Sequence, residues 1–214
     1  MADHDRRGAV IWAGEGRSAA TVARFFCEFG IERTARLEAV SCDMSAGYLK
    51  AVAHHAPEAR VAIDPFHVVK FANEAIDACR RRAWNEARRT GAGARWVKHT
   101  RWALVKDPGA LSTDQRLTLE ELRRSRSVLW RAWALKEGLR DVYRLRDLGA
   151  AHQFLDRWLA WACRSRIPAF VKLSRTIRTH REGILAAVEL GLSNSKLEGL
   201  NRSEERRVGK ECRL

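Results

Sequence analysis

LEAVSCDMSAGYLKAVAHHAPEARVAIDPFH, residues 37–67, contains two short apolar runs, each ending on an aspartate, with an amphipathic stretch between them. Leu37 to Cys42 reads as a strand, Ala46 to His55 as a helix and Arg60 to Ile63 as a second strand. This order predicts parallel strands joined by a right-handed crossover, with helices covering the sheet. Asp43 and Asp64 then stand at the carboxyl ends of neighbouring strands, where an open α/β sheet forms the crevice that receives ligands. Each also fits a plainer role. Asp43 suits the cap of a helix opening near Ala46, and Asp64 suits a cap followed by Pro65 as first helical residue. Two like charges at adjacent strand ends add weight to function, because they are costly together unless a cation or a proton holds them. His67, three residues past Asp64, reads alone as a structural histidine.

Upstream, Ala9 to Trp12 reads as a strand and Ser18 to Phe29 as a helix ended by Gly30. Downstream of Pro65 the strands stop. Val68, Val69, Ala72, Ile76 and Cys79 recur at helical spacing, and helix-like segments follow near 94–105, 113–124, 127–146, 148–164, 168–180 and 182–190. Gly91, Gly93, Pro108, Gly109, Gly149, Pro168 and Gly191 punctuate them. The expected organisation is an α/β core over 1–79, a basic helical insertion over 80–190, a return helix over 191–201 and an atypical tail over 202–214. In the return segment NSKLEGLN, residues 194–201, Glu198 falls on a fresh helical start that Ser193 or Asn194 can cap.

The 214 residues are 46% hydrophobic and 31% charged, enough for one large or two small cores. No apolar run reaches the roughly 18 residues of a membrane span, and the start lacks the pattern of a secretory signal. Five cysteines, Cys27, Cys42, Cys79, Cys163 and Cys212, are odd in number and never in a CxxC pair. That spacing argues against a disulfide framework or a thiolate zinc site and for a reducing compartment. Forty Lys and Arg oppose 26 Asp and Glu, a net charge of +14 that favours a polyanionic partner, nucleic acid foremost.

The charge is concentrated. Residues 1–79 carry net −2 (9 basic, 11 acidic), 80–146 carry +11 (18 and 7) and 147–214 carry +5 (13 and 8). The middle third also holds Trp84, Trp96, Trp102, Trp130 and Trp133, interleaved with Arg80, Arg81, Arg82, Arg88, Arg89, Arg95, Lys98 and Arg101. Such mixing suits a surface that neutralises phosphates and stacks on bases. It equally suits tryptophans in a bundle core beneath a solvated basic face.

Carboxylates far apart in sequence but gathered at strand ends and one helix are what two-metal phosphoryl transfer requires. At these residues a family resemblance emerges. WAGEGRS, VSCDMSAGY, DPFHVVK with NEAIDACRR, ALKEGLRDVY, SRIPAFVKLSRTI and NSKLEGLN resemble, in order, the catalytic region of DDE transposases of bacterial insertion sequences, ISL-three group, from residue 8 to about 201. The resemblance implies a partial ribonuclease H-like mixed sheet with flanking helices, interrupted by a large all-helical insertion. It implies a divalent-metal site of two ions, Mg²⁺ or Mn²⁺, and cut-and-rejoin chemistry on DNA ends. By it, Asp43 matches the second carboxylate of the metal-binding triad and Glu198 the third. Asp64 and His67 match the D-x-x-H element that follows the second carboxylate, with a supporting role around the active site or the DNA. DNA is the implied partner, a homodimer the implied full-length assembly, and the bacterial cytoplasm and nucleoid the implied location.

Two departures qualify the match. The family's first catalytic aspartate lies on a strand upstream of the segment that begins HDRRGAVIWAGEGRS, and Asp3 and Asp5 lie too close to the strand at Ala9 to stand for it. The expectation is therefore a chain truncated at its start and catalytically deficient. After Asn201 the tail RSEERRVGKECRL departs from the pattern of a continuing basic helix. Rival readings are a non-catalytic DNA-binding remnant of a mobile element, and a helical protein whose basic face meets RNA or an acidic protein.

Overall fold

The computed structural model describes residues 1–3, 5, 9–16, 18–91 and 94–191. The chain divides into two compact units, one formed by Met1–His67 with the segment from Glu182 onward, the other by Val68–Arg181.

In the first unit, β1 (Ala2–Asp3) pairs antiparallel with β2 (Ala9–Val10), in register Ala2 to Val10. Helix α1 (Ala19–Phe29) opens where the Ser18 hydroxyl accepts from the amide of Thr21, and ends at Gly30, whose φ of 90° is open to glycine. A short α2 (Ile31–Thr34) leads to β3 (Ala39–Cys42), α3 (Ala46–His55) and β4 (Arg60–Ile63). Strands β3 and β4 are parallel, with Val40 beside Val61 and Cys42 beside Ile63, as the strand, helix, strand pattern predicts. Phe25, Phe26, Val40, Val52, Ala56 and Ala59 form the core between α1, α3 and this pair.

Among the described residues the strands form two separate two-stranded sheets, not the single mixed sheet expected. The run at Ala9–Trp12 leaves the strand conformation after two residues. Trp12 turns instead onto Phe25, edge-on at 5.7 Å, and its indole lies where a Cβ on Gly14 would be. Burying an indole outweighs extending an exposed two-residue strand.

Helix α4 (Pro65–Thr90) runs unbroken for 26 residues. The boundary expected at residue 79 lies inside it, where its buried face (Val68, Ala72, Ala75, Ile76, Cys79) stops but its helix does not. The second unit continues with α5 (Ala94–His99), α6 (Arg101–Val105), α7 (Thr113–Arg124), α8 (Val128–Asp141), α9 (Leu148–Arg164) and α10 (Pro168–Thr179). The segment 94–105 is two helices, because Thr100 is fully buried and its hydroxyl bonds back to the Val97 carbonyl at 2.8 Å. Ser112 and Gln115 close a capping box on α7, and Ser127 and Asp147 cap α8 and α9. Leu104, Leu122, Leu135, Leu139, Leu155, Phe170 and Ile177 are buried throughout, and the Trp158 indole donates to the Leu135 carbonyl at 2.8 Å.

Helix α11 (Arg181–Leu190) carries the chain back into the first unit. There Gly183 lies against β4, so close that a Cβ would stand 2.7 Å from Ile63 Cγ1 and 3.2 Å from the Val61 carbonyl oxygen. Near the other end, Glu189 pairs with Arg60 at 2.5 Å, so α11 runs antiparallel to β4. Among the described residues no helix is long and apolar enough to cross a membrane.

Candidate functional site

The β3–β4 ladder delivers Asp43 and Asp64 side by side. Each follows the last paired residue of its strand, Cys42 beside Ile63, and the Asp64 amide extends the ladder by donating to the Cys42 carbonyl at 2.9 Å. Their roles then diverge. Asp64 is 1% exposed; its Oδ1 accepts from the Phe66 amide at 3.1 Å, capping α4, and its Oδ2 lies 3.5 Å from His67 Nδ1. That separation is electrostatic contact, and among the described residues the buried Nδ1 has no hydrogen-bond partner. Asp43 is half-buried, and its Oδ1 accepts from the Ser45 amide at 2.8 Å. The residue at the N-cap of α3 is Ser45, so Asp43 shapes the turn ahead of the helix instead of capping it.

Both carboxylates act on the Cys42 thiol. Burial first, then Asp43 and Asp64, push it up to about 12. Sequence reasoning passed over Cys42 as one of several unpaired cysteines, although its place in VSCDMS, next to Asp43, was the available signal.

Glu198 and the rest of NSKLEGLN lie outside the described residues, as does the tail 202–214. Among the described residues no group of three or more His, Cys, Asp or Glu is arranged to hold a metal ion. The donor chemistry of Asp43 nonetheless suits a hard divalent cation: a half-buried carboxylate with Oδ1 engaged by backbone and, among the described residues, no hydrogen-bond partner on Oδ2. Asp64 is enclosed, with one oxygen on a backbone amide and the other facing His67, and fits a supporting place.

The basic residues expected to meet DNA lie in the second unit, and several are neutralised locally. Arg80 and Arg81 both pair with Asp77, at 2.8 and 3.2 Å. Arg89 pairs with Glu86, Arg88 lies over the Trp84 ring at 5.1 Å, and Arg101 lies over Trp102 at 5.0 Å. Among the described residues, Arg82, Arg95 and Lys98 have no ion pair. The tryptophans divide between the two readings. Trp102 and Trp96 are exposed, whereas Trp130 and Trp133 stack on each other at 4.8 Å. Basic side chains outside this block were missed: Arg166, Lys172, Arg175 and Arg178, all exposed. Their signal was the run PAFVKLSRTIRT, which holds cations and no carboxylate.

A family model described as transposase, of the DDE type and ISL3 group, matches residues 1–206. The transposase for insertion sequence element IS1557 of Mycobacterium tuberculosis (strain CDC 1551 / Oshkosh) is 39% identical over 222 residues, covering 94% of this chain and 50% of that protein. The transposase for insertion sequence element IS1001 of Bordetella parapertussis is 31% identical over 193 residues, covering 90% and 48%. The chain spans about half the length of the curated relatives it matches. No solved structure matches it.

Proposed function

Because the chain belongs to the DDE transposases of the ISL3 group, we propose that it carries part of a metal-dependent site for DNA cleavage and strand transfer at insertion-sequence ends. The observation that supports this reading most is the pair of aspartates at adjacent parallel strand ends, one half-buried and one enclosed. The reading takes β3, β4 and α11 as elements of a ribonuclease H-like core and the helices between β4 and α11 as its insertion.

Asp43 and Glu198 are the proposed ligands. Divalent ions bound there would supply activation of the attacking hydroxyl and neutralisation of charge on the phosphoryl group. Asp43 holds its carboxylate ready through the Ser45 amide, which fixes the turn and leaves the outer oxygen to the ligand. Asp64 holds the start of α4 and keeps His67 oriented, so both act as positioning residues. Glu198 has the reach to join them. Helix α11 is about 15 Å long, and a chain of eight residues, as from Gly191 to Glu198, spans about 29 Å at most. A third carboxylate beside these two completes the proposed site.

The test is a nicking assay on insertion-sequence ends with Mg²⁺ or Mn²⁺, using this sequence within a chain of its relatives' length. Asp43→Ala or Glu198→Ala should abolish nicking and leave gel-shift affinity largely intact; undiminished nicking by either variant overturns the assignment. A second reading, a DNA-binding remnant without chemistry, draws on the lack of a three-residue metal cluster among the described residues. Steep salt dependence of binding without nicking, in the 214-residue chain, favours it.

A further inference from the structure

We propose that the exposed face of α10, with Arg166 just ahead of it, is a docking surface for the phosphate backbone of duplex DNA. The proposal rests on the DNA reading above and places the contact where the charge count does not.

Helix α10 buries Phe170, Leu173, Ser174 and Ile177 and turns Lys172, Arg175 and Arg178 outward at every third position. The helix contains no acidic residue, and among the described residues none of these three cations, nor Arg166, has an ion pair. The block at 80–101 is mixed by comparison: Asp77 and Glu86 already occupy three of its eight cations. Uncommitted cations release counterions when they meet phosphate, whereas paired ones must first break a contact.

The cations also frame a concavity. Arg166, Lys172 and Arg175, with Pro168 and Val171, line a shallow, wide-open depression of about 400 Å³. Arg166 enters it from a left-handed backbone, φ 59°. That conformation costs roughly 1–2 kcal/mol for a residue with a Cβ. A glycine would make the turn between α9 and α10 at less strain, so the turn does not by itself account for an arginine there. Lys172 to Arg178 covers about 9 Å of helix, against about 3.4 Å of duplex axis per phosphate on one strand, a reach of two or three phosphates. This face presents no aromatic ring, since Phe170 is buried. Backbone neutralisation without stacking fits duplex and not single-stranded DNA.

The experiment is a gel-shift titration of the 214-residue chain on a duplex of arbitrary sequence at several salt concentrations. The variant Lys172→Gln/Arg175→Gln/Arg178→Gln is compared with Arg123→Gln/Arg124→Gln/Arg144→Gln, which removes equal charge from arginines paired with Glu120, Asp141 and Asp107. The α10 variant should lose roughly two to three units of salt slope, at about 0.9 per phosphate contact. The control should lose less than one. Arg166→Gly should weaken binding without lowering Tm, a readout that a purely structural role reverses and that stands even if the triple variant folds poorly. Equal slopes for the two triple variants overturn the α10 surface alone. Weakening confined to single-stranded DNA overturns its duplex assignment. A parent chain that binds no DNA at low salt overturns both this surface and the function it rests on.

Discussion

The amide of Asp64 donates to the carbonyl of Cys42 at 2.9 Å, one step beyond the last paired residues of β3 and β4. This bond ties together the two strand ends that carry the candidate carboxylates. Next to that bond, a negative sulfur on Cys42 would meet burial and the charges of both aspartates.

The first prediction concerns alkaline stability. The Cys42 thiol is pushed up to about 12 by burial, then Asp43 and Asp64, and the Cys79 thiol to about 11, chiefly by burial. Their unfolded values lie near 9. Between these limits the unfolded chain loses protons that the folded chain keeps, so stability falls as pH rises from about 9. Denaturant titrations from pH 8 to 11 should show that decline, and Cys42→Ala should flatten part of it. At pH 8, iodoacetamide should modify the exposed Cys27 and Cys163 well before Cys42.

A second prediction sets helix propensity against packing. Alanine in place of glycine stabilises a helix by about 1 kcal/mol where nothing intervenes. At Gly183 the new Cβ would meet Ile63 Cγ1 at 2.7 Å and the Val61 carbonyl at 3.2 Å. Gly183→Ala should therefore destabilise the protein by about 1–3 kcal/mol, as overpacking does. Adding Ile63→Val should recover part of the loss in thermal melts. A more stable single variant would mean that α11 does not lie against β4.

The third prediction concerns Lys136, whose side chain is fully buried in the second unit. Its ammonium donates to the Leu104 carbonyl at 2.7 Å, at the end of α6, and pairs with Glu137 at 2.5 Å. Lys136→Met removes the donor at the α6 terminus and leaves Glu137 to Arg140, 3.1 Å away. A loss of about 3 kcal/mol is expected, the low end for breaking a buried pair, because Arg140 still holds Glu137 while the Leu104 carbonyl loses its donor. Lys136→Met/Glu137→Leu should be milder than the sum of its single changes, read as a double-mutant cycle by urea denaturation.

These residues also show how far the sequence could be read. The strand at Leu37–Cys42, the helix to His55 and the strand at Arg60–Ile63 were legible because their apolar periods are clean and their ends marked by aspartate. The length of α4 was hidden, because its apolar stripe ends at Cys79 while arginine-rich turns carry the helix to Thr90. The break at Thr100 was hidden too, since a buried threonine bonding to its own helix leaves no periodic trace. The pairing of Arg80 and Arg81 with Asp77 follows from three- and four-residue spacing and could have been read; the freedom of the cations on α10 depends on which face is buried. The difference between Asp43 and Asp64 could not be seen, because two identical residues at two strand ends acquire different burial only through packing.

That difference yields the last prediction. Asp64 is enclosed and caps a 26-residue helix through the Phe66 amide, whereas Asp43 is half-buried and braces one turn. Asp64→Ala should cost about 1–2 kcal/mol, the upper part of the range for a lost N-cap, and Asp43→Ala less. In Mg²⁺- or Mn²⁺-dependent nicking, measured in a chain of the relatives' length, the order should reverse: Asp43→Ala should abolish cleavage and Asp64→Ala reduce it. Asp64→Asn keeps an oxygen for the Phe66 amide and should recover most of the stability. If its cleavage stays as low as that of Asp43→Ala, Asp64 is itself a ligand and the division of roles between the two aspartates is wrong.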